Sequence, residues 1–292
     1  MSLKGQSIVI NNLKFNVVIE GKGTPVILLH GFPDSAYIWR EQIKALSQKG
    51  YQVIAPDLRG TGDSEAPPER KKYGIDIICS DVVMLMDYLG IEKAPVIGHD
   101  WGAAAGWVLT GNYPERVQCY VALSVGHPKA YRTNLEQLLR AWYTVLFQIP
   151  CVAEKSMRSF NWLLIRKLSN HHSEVRHWIE DMSREGRLSA ALNWYRANEI
   201  HMLFGSFPRI TVPVLGIWST GDVFLSEKQM LLSAGYVDAS WRYERIEGSG
   251  HWIPLDAPKR LNSILIDYLT GKNPGRSTSS GECLRLVRNY QR

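Results

Sequence analysis

The 292-residue chain is poor in cysteine, and the cysteine it has excludes more than it suggests. Cys79, Cys119, Cys151 and Cys283 are scattered, without the paired spacing of a zinc site or a redox motif, and are expected to be reduced, mostly buried thiols. Long hydrophobic runs are missing too. No stretch approaches the roughly 20 apolar residues that span a bilayer, so no membrane insertion is expected. Met1 to Gln6 is too short and polar for a signal peptide, which with the unpaired thiols leads to the expectation of a cytoplasmic protein. There is no internal repeat. Nor is there a real excess of one charge: of the net +6, most sits in residues 271–292, where Lys272, Arg276, Arg285, Arg288 and Arg292 face Glu282 alone. Without that tail 29 basic and 27 acidic residues remain, and no nucleic-acid partner is expected.

What is present is an ordinary globular composition, 45% apolar, long enough for one large core with an inserted subdomain. Ser7 to Ile10 and Lys14 to Ile19 read as a hairpin turning at Asn11-Asn12. Short apolar runs then recur at Pro25–Leu29, Gln52–Ala55, Pro95–Ile97 and Gln118–Leu123, separated by helical patterns over Ser35–Lys49, Ile75–Leu89 and Trp101–Tyr113. That alternation predicts a mostly parallel sheet with helices on both faces. From His127 to about residue 210 the texture becomes helical and tryptophan-rich. Sheet texture resumes at Pro213–Trp218 and Trp241–Ile246, and a closing helix is predicted over Asp256–Thr270. The expected division is a core of 1–126 and 211–270, a helical insertion of 127–210, and a disordered tail of 271–292.

One segment carries the chemistry. In Gly98-His99-Asp100-Trp101-Gly102 an aspartate occupies the middle of a sharp strand-to-helix turn that more often holds a nucleophilic serine. Serine attacking a saturated carbon would leave an ether that water does not readily cleave. A carboxylate leaves an ester, which a second acyl-transfer step can hydrolyse. Asp100 therefore points to substrates attacked at sp3 carbon, such as epoxides or alkyl halides. The same residue would also suit a helix N-cap, but the flanking glycines permit a strained turn that a cap does not need.

Two further strand ends carry polar groups: Ser219-Thr220-Gly221-Asp222 and Gly248-Ser249-Gly250-His251. Taken singly, Asp222 suits a turn and His251 a packed loop. Together with Asp100 they give the order nucleophile, acid, histidine at the carboxyl ends of strands, with His251 as the base for water and Asp222 orienting it. As a base His251 must be neutral, so activity is expected to fall below its pKa, about 6.5 if unperturbed. The turn His30-Gly31-Phe32-Pro33 supplies a backbone N–H at Phe32 that can pair with that of Trp101 as an oxyanion hole. The glycine-rich turn Asp57 to Ser64 is read as scaffold. His171, His172 and His177 cluster on a charged stretch without a convincing ligand set, so neither metal nor cofactor is expected.

His30 to Pro33, Asp57 to Ser64, Gly98 to Gly102, Asp222 and Gly250-His251-Trp252 together resemble the epoxide hydrolase branch of the α/β-hydrolase superfamily, over residues 1 to about 270. The resemblance implies the α/β-hydrolase fold with a helical cap. Asn193-Trp194-Tyr195-Arg196 resembles the second cap tyrosine motif of that branch, and Tyr143 with Phe147, Gln148 and Pro150 the first. It implies that Tyr143 and Tyr195 donate hydrogen bonds to the epoxide oxygen, where packing alone would be the plainer role. The chemistry has need of them: an alkoxide leaving group calls for a weak acid, and a phenol of pKa about 10 is protonated at neutral pH. Phe32, Trp101, Phe147 and Trp252 are expected to line the pocket. An apolar or aromatic epoxide and water are the implied reactants, and detoxification the implied setting. Ile253 to Asp256 departs from the glutamine these hydrolases often carry after the histidine loop. Haloalkane dehalogenase is the alternative, sharing the Asp, the His and the Trp beside the nucleophile, but Phe32 stands where its halide-binding Asn often lies. Fluoroacetate dehalogenase fits less, since Trp101 and Ala103 stand where arginines are expected. A non-catalytic ligand-binding protein on the same fold is a third reading, and it should have lost a member of the set.

Overall fold

The computed structural model describes residues 3–271. β1 (Gly5–Ile10) and β2 (Leu13–Glu20) form the expected antiparallel hairpin. Asn11 and Asn12 both take positive φ, 53° and 58°, which a two-residue loop between twisted strands demands. Six strands follow: β3 (Thr24–Leu29), β4 (Tyr51–Pro56), β5 (Ala94–His99), β6 (Val117–Leu123), β7 (Val214–Ser219) and β8 (Trp241–Ile246). They complete one sheet in the order β1-β2-β4-β3-β5-β6-β7-β8, antiparallel only where β2 meets β1 and β4. Every residue of β5 and β7 is buried, which is why these strands read as unbroken apolar runs rather than as alternating ones.

Alternate side chains of β3 feed two cores. Ile27 and Leu29 join the core formed with α2 (Ile75–Tyr88) and α3 (Trp101–Asn112), while Val26 and Leu28 join that of α1 (Arg40–Ser47). Between β6 and β7 lie six helices: α4 (Pro128–Arg132), α5 (Leu135–Arg140), α6 (Trp142–Phe147), α7 (Val152–Leu168), α8 (Val175–Ser183) and α9 (Arg187–Phe204). Side-chain hydrogen bonds fasten this block to the sheet. Asn198 accepts from Ile75 N at 2.7 Å and donates to Tyr73 O at 2.9 Å; Trp194 Nε1 donates to Arg59 O at 3.1 Å and Trp178 Nε1 to Asp34 Oδ1 at 2.9 Å. The glycine-rich turn is held by Asp57, whose carboxylate accepts from the backbone of Ala36 and Asp63.

The chain departs from the sequence reading in four places. The helix expected over 35–49 opens with a 3-10 turn at Ala36–Trp39 before α1. An unforeseen helix, α10 (Glu227–Leu232), packs on β7. The closing helix is two, α11 (Ile253–Asp256) and α12 (Pro258–Leu269), because Pro258 lacks the N–H that would continue the first but suits the opening turn of the second. Finally, Cys79 is buried and Cys119 half-buried, but Cys151 is exposed, at the positive-φ junction that starts α7. Cys283 and all of the expected tail beyond residue 271 lie outside the described residues.

Candidate active site

Asp100 ends β5 at φ 53° and ψ −122°, a conformation costly for any residue but glycine. The turn closes because a Cβ on Gly98 would collide with Gly102 O, and one on Gly102 with Leu29 O. Asp100 sits at the N-cap position of α3, yet its carboxylate caps nothing in the usual way. Oδ1 accepts instead from Phe32 N at 2.7 Å, and the Trp101 N–H also bonds the carboxylate. Both N–H groups anticipated from the sequence thus face the Asp100 carboxylate.

The other oxygen faces the histidine. His251 Nε2 lies 3.6 Å from Asp100 Oδ2, and His251 Nδ1 lies 2.8 Å from Asp222 Oδ2. Asp222 is fixed in turn, its Oδ1 accepting from Phe224 N and Leu225 N at 2.9 Å each. Burial opposes a charge on His251, but the Asp222 and Asp100 carboxylates outweigh it and lift its pKa to about 10. The value near 6.5 expected for an isolated imidazole is therefore displaced: the resting ring is an imidazolium between two carboxylates. Burial likewise opposes charge on Asp100, while His251 and the N–H donors reverse the effect and hold its carboxyl below the usual range.

Tyr195, buried on α9, and Tyr143, half-buried on α6, reach over the same carboxylate from the helical block. Their rings meet at 6.4 Å. Burial pushes both phenols well above their usual pKa, so both are neutral O–H groups. The Trp101 ring packs edge-on to the Tyr195 phenol at 5.1 Å. Asp100, Tyr143 and Tyr195 stand where two cavities meet. One, about 350 Å³, is lined by Phe32, Phe147 and Trp252, and the other, about 670 Å³, by Trp101. All of the residues anticipated for the pocket therefore border it.

Several neighbours escaped the sequence reading. Phe224 lies 5.1 Å from the His251 ring and lines the smaller cavity. Glu199 and Tyr131 line the larger one. Glu199 stands four residues beyond Tyr195 on α9, a helical spacing that could have flagged it; burial raises its pKa. His99, the variable residue of the elbow, is buried and neutral, its pKa lowered to about 4 chiefly by burial, with Nε2 2.9 Å from His251 O. Asp256 accepts from Gly250 N at 3.0 Å and lies 2.9 Å from His172 Nε2, so the departure at Ile253 to Asp256 ties the histidine loop to the helical block. That bond also accounts for one of the clustered histidines; among the described residues no group of three His, Cys, Asp or Glu is placed to hold a metal.

Comparison with known proteins follows the same line. A family model of the alpha/beta hydrolase fold matches residues 24–258. The chain is 34% identical over 281 residues to the AB hydrolase superfamily protein YfhM of Bacillus subtilis, covering 91% of this chain and 98% of that one. It is 32% identical over 282 residues to epoxide hydrolase 3 of Xenopus tropicalis, covering 89% and 75% respectively. The crystal structure of epoxide hydrolase A from Mycobacterium thermoresistibile superposes with a TM-score of 0.79 at 30% identity, over 91% of this chain and 98% of that one.

Proposed function

The chain belongs to the epoxide hydrolase branch of the α/β-hydrolase superfamily, a hydrolase acting on the ether bond of epoxides, and on that premise we propose that it opens an apolar or aromatic epoxide through a covalent ester on Asp100. The observation that carries this reading is the unequal treatment of the two carboxylate oxygens. Oδ1 is occupied by the Phe32 N–H, so Oδ2, on the side of His251, is the oxygen assigned to attack. As Oδ2 bonds to an epoxide carbon, the ring C–O bond breaks, and Tyr143 and Tyr195 stabilise the departing oxygen while one phenol protonates it.

Alkylation also primes the second step. Oδ1 becomes the ester carbonyl oxygen, already seated against the Phe32 N–H, with the Trp101 N–H beside the same carboxyl to favour negative charge there. With the Asp100 charge consumed, one support for the His251 imidazolium is gone, its pKa falls toward the range of a useful base, and the proton it gives up restores the phenol that protonated the leaving oxygen. His251 then takes a proton from the water that attacks Cγ. Collapse breaks the Cγ–Oδ2 bond, His251 returns its proton to Oδ2 of the leaving diol, and Asp100, left as a carboxylic acid, passes its proton to His251 to restore the resting pair. Residues 127–210 act in this reading as the cap that supplies the phenols and covers the ester.

The test is His251→Gln, which alkylation tolerates and ester hydrolysis does not. Treated with an epoxide that the native enzyme turns over, this variant should gain the mass of the substrate; an unchanged mass would count against the covalent scheme. A dehalogenase would release halide from haloalkanes instead. The Trp101 indole that such an enzyme offers to halide packs here against the Tyr195 ring.

A further inference from the structure

The helical block carries an apolar stripe that the chemistry leaves unused. Along α5, α6 and the start of α7, Leu135, Leu139, Trp142, Val145, Ile149 and Val152 recur every third or fourth residue, each between 47% and 70% exposed. Scattered apolar residues on a surface need no explanation, but a continuous run of this length does. The stripe is next in sequence to residues that line the larger cavity. Its lining residues Tyr143, Thr144, Glu199 and Leu203 have as chain neighbours the exposed Trp142, Val145, Ile200 and Phe204.

The helical block is more basic than the rest of the molecule. Residues 127–210 hold twelve Lys and Arg against seven Asp and Glu, whereas the other described residues hold seventeen against twenty. On the stripe's own helices, Glu136 and Glu154 are engaged by Arg140 and Arg196, and Lys155 and Arg158 of α7 have no ion pair among the described residues. Lys155 continues the spacing three residues beyond Val152.

We infer that this face docks on a membrane surface bearing anionic lipid headgroups, with the apolar stripe at the headgroup boundary and the larger cavity turned toward the lipid. Apolar residues flanked by unneutralised cations are what binding in the interface plane requires. Spanning is a different matter, since no helix among the described residues is long and apolar enough for it. A second copy of the chain would bring one positive face against another in a two-fold contact, which the charge opposes. The proposed substrate gives docking a use, because an apolar epoxide concentrates in lipid; the docking itself rests on the stripe and the charge alone.

Flotation with vesicles of phosphatidylcholine, with and without phosphatidylserine, tests it. The native protein should float with the phosphatidylserine vesicles and progressively lose them as salt rises. Leu139→Ser/Val145→Ser and, separately, Lys155→Glu/Arg158→Glu should each weaken binding by about tenfold with unchanged thermal unfolding. Absence of flotation with either vesicle would overturn the inference. So would undiminished binding by both variants, or a native dimer that the serine variant converts to monomer. Diol formation from a water-soluble epoxide should persist in the serine variant, so a failure of docking stays distinct from a failure of the proposed chemistry.

Discussion

The proposed cycle divides the work of Asp100 between its two oxygens. In it Oδ1 stays on the Phe32 N–H, whereas Oδ2 meets the substrate beside two neutral phenols. In a His251→Gln background, where only alkylation is read, Tyr143→Phe together with Tyr195→Phe should slow adduct formation by roughly 10²- to 10⁴-fold. An unchanged rate would move the reading toward halide chemistry. The histidine adds a pH signature. The resting His251 pKa of about 10 rests partly on the Asp100 charge, which the ester lacks. Ester hydrolysis in single turnovers should therefore rise with pH through an inflection below 10, as His251 loses its proton, and a rate that falls with rising pH would contradict its role as base. Asp100, Asp222 and His251 were legible in the sequence because each follows a strand beside a glycine. Phe224, His99 and Asp256 were not, since their contacts arise only when loops distant in sequence meet; the His99 to His251 contact spans 152 positions.

At the scale of elements, the joint between the core and the helical block is partly electrostatic. Asp34, at the turn after β3, accepts from Trp178 of α8 and is buried with Oδ2 unpartnered. Burial, opposed by the Trp178 hydrogen bond, raises its pKa to about 8. A carboxyl whose folded pKa exceeds its unfolded value near 3.8 binds its proton more tightly in the folded state. Its contribution to stability is full below about pH 4 and is lost as pH rises toward 8. Asp34→Asn keeps an acceptor for Trp178 without the titration, so its melting temperature relative to the native protein should climb between about pH 5 and pH 8, at up to roughly 1.4 kcal/mol per pH unit. A difference independent of pH would show that Asp34 is not titrating there. The strands and the three long core helices could be read from periodicity alone. The breaks could not: α10 is only six residues long, and the helical character of α7 is interrupted at residues 159–162 without a proline to announce it.

For the whole molecule, the sheet gathers three strand ends at one place, and the insertion between β6 and β7 brings two phenols to it from above. The fold class was legible because a parallel sheet buried on both faces leaves unmistakable apolar runs. Tyr143 and Tyr195 could be singled out only through two short motifs, since the aromatic contacts that seat them join helices with no shared periodicity. The central claim is that Asp100 bonds to the substrate rather than standing by while water attacks it. With enzyme in excess over epoxide in heavy-oxygen water, the first diol should be unlabelled, and the peptide containing Asp100 should gain the label, because water attacks Cγ and the diol leaves with Oδ2. Heavy oxygen in the first diol beside an unlabelled Asp100 peptide would contradict it.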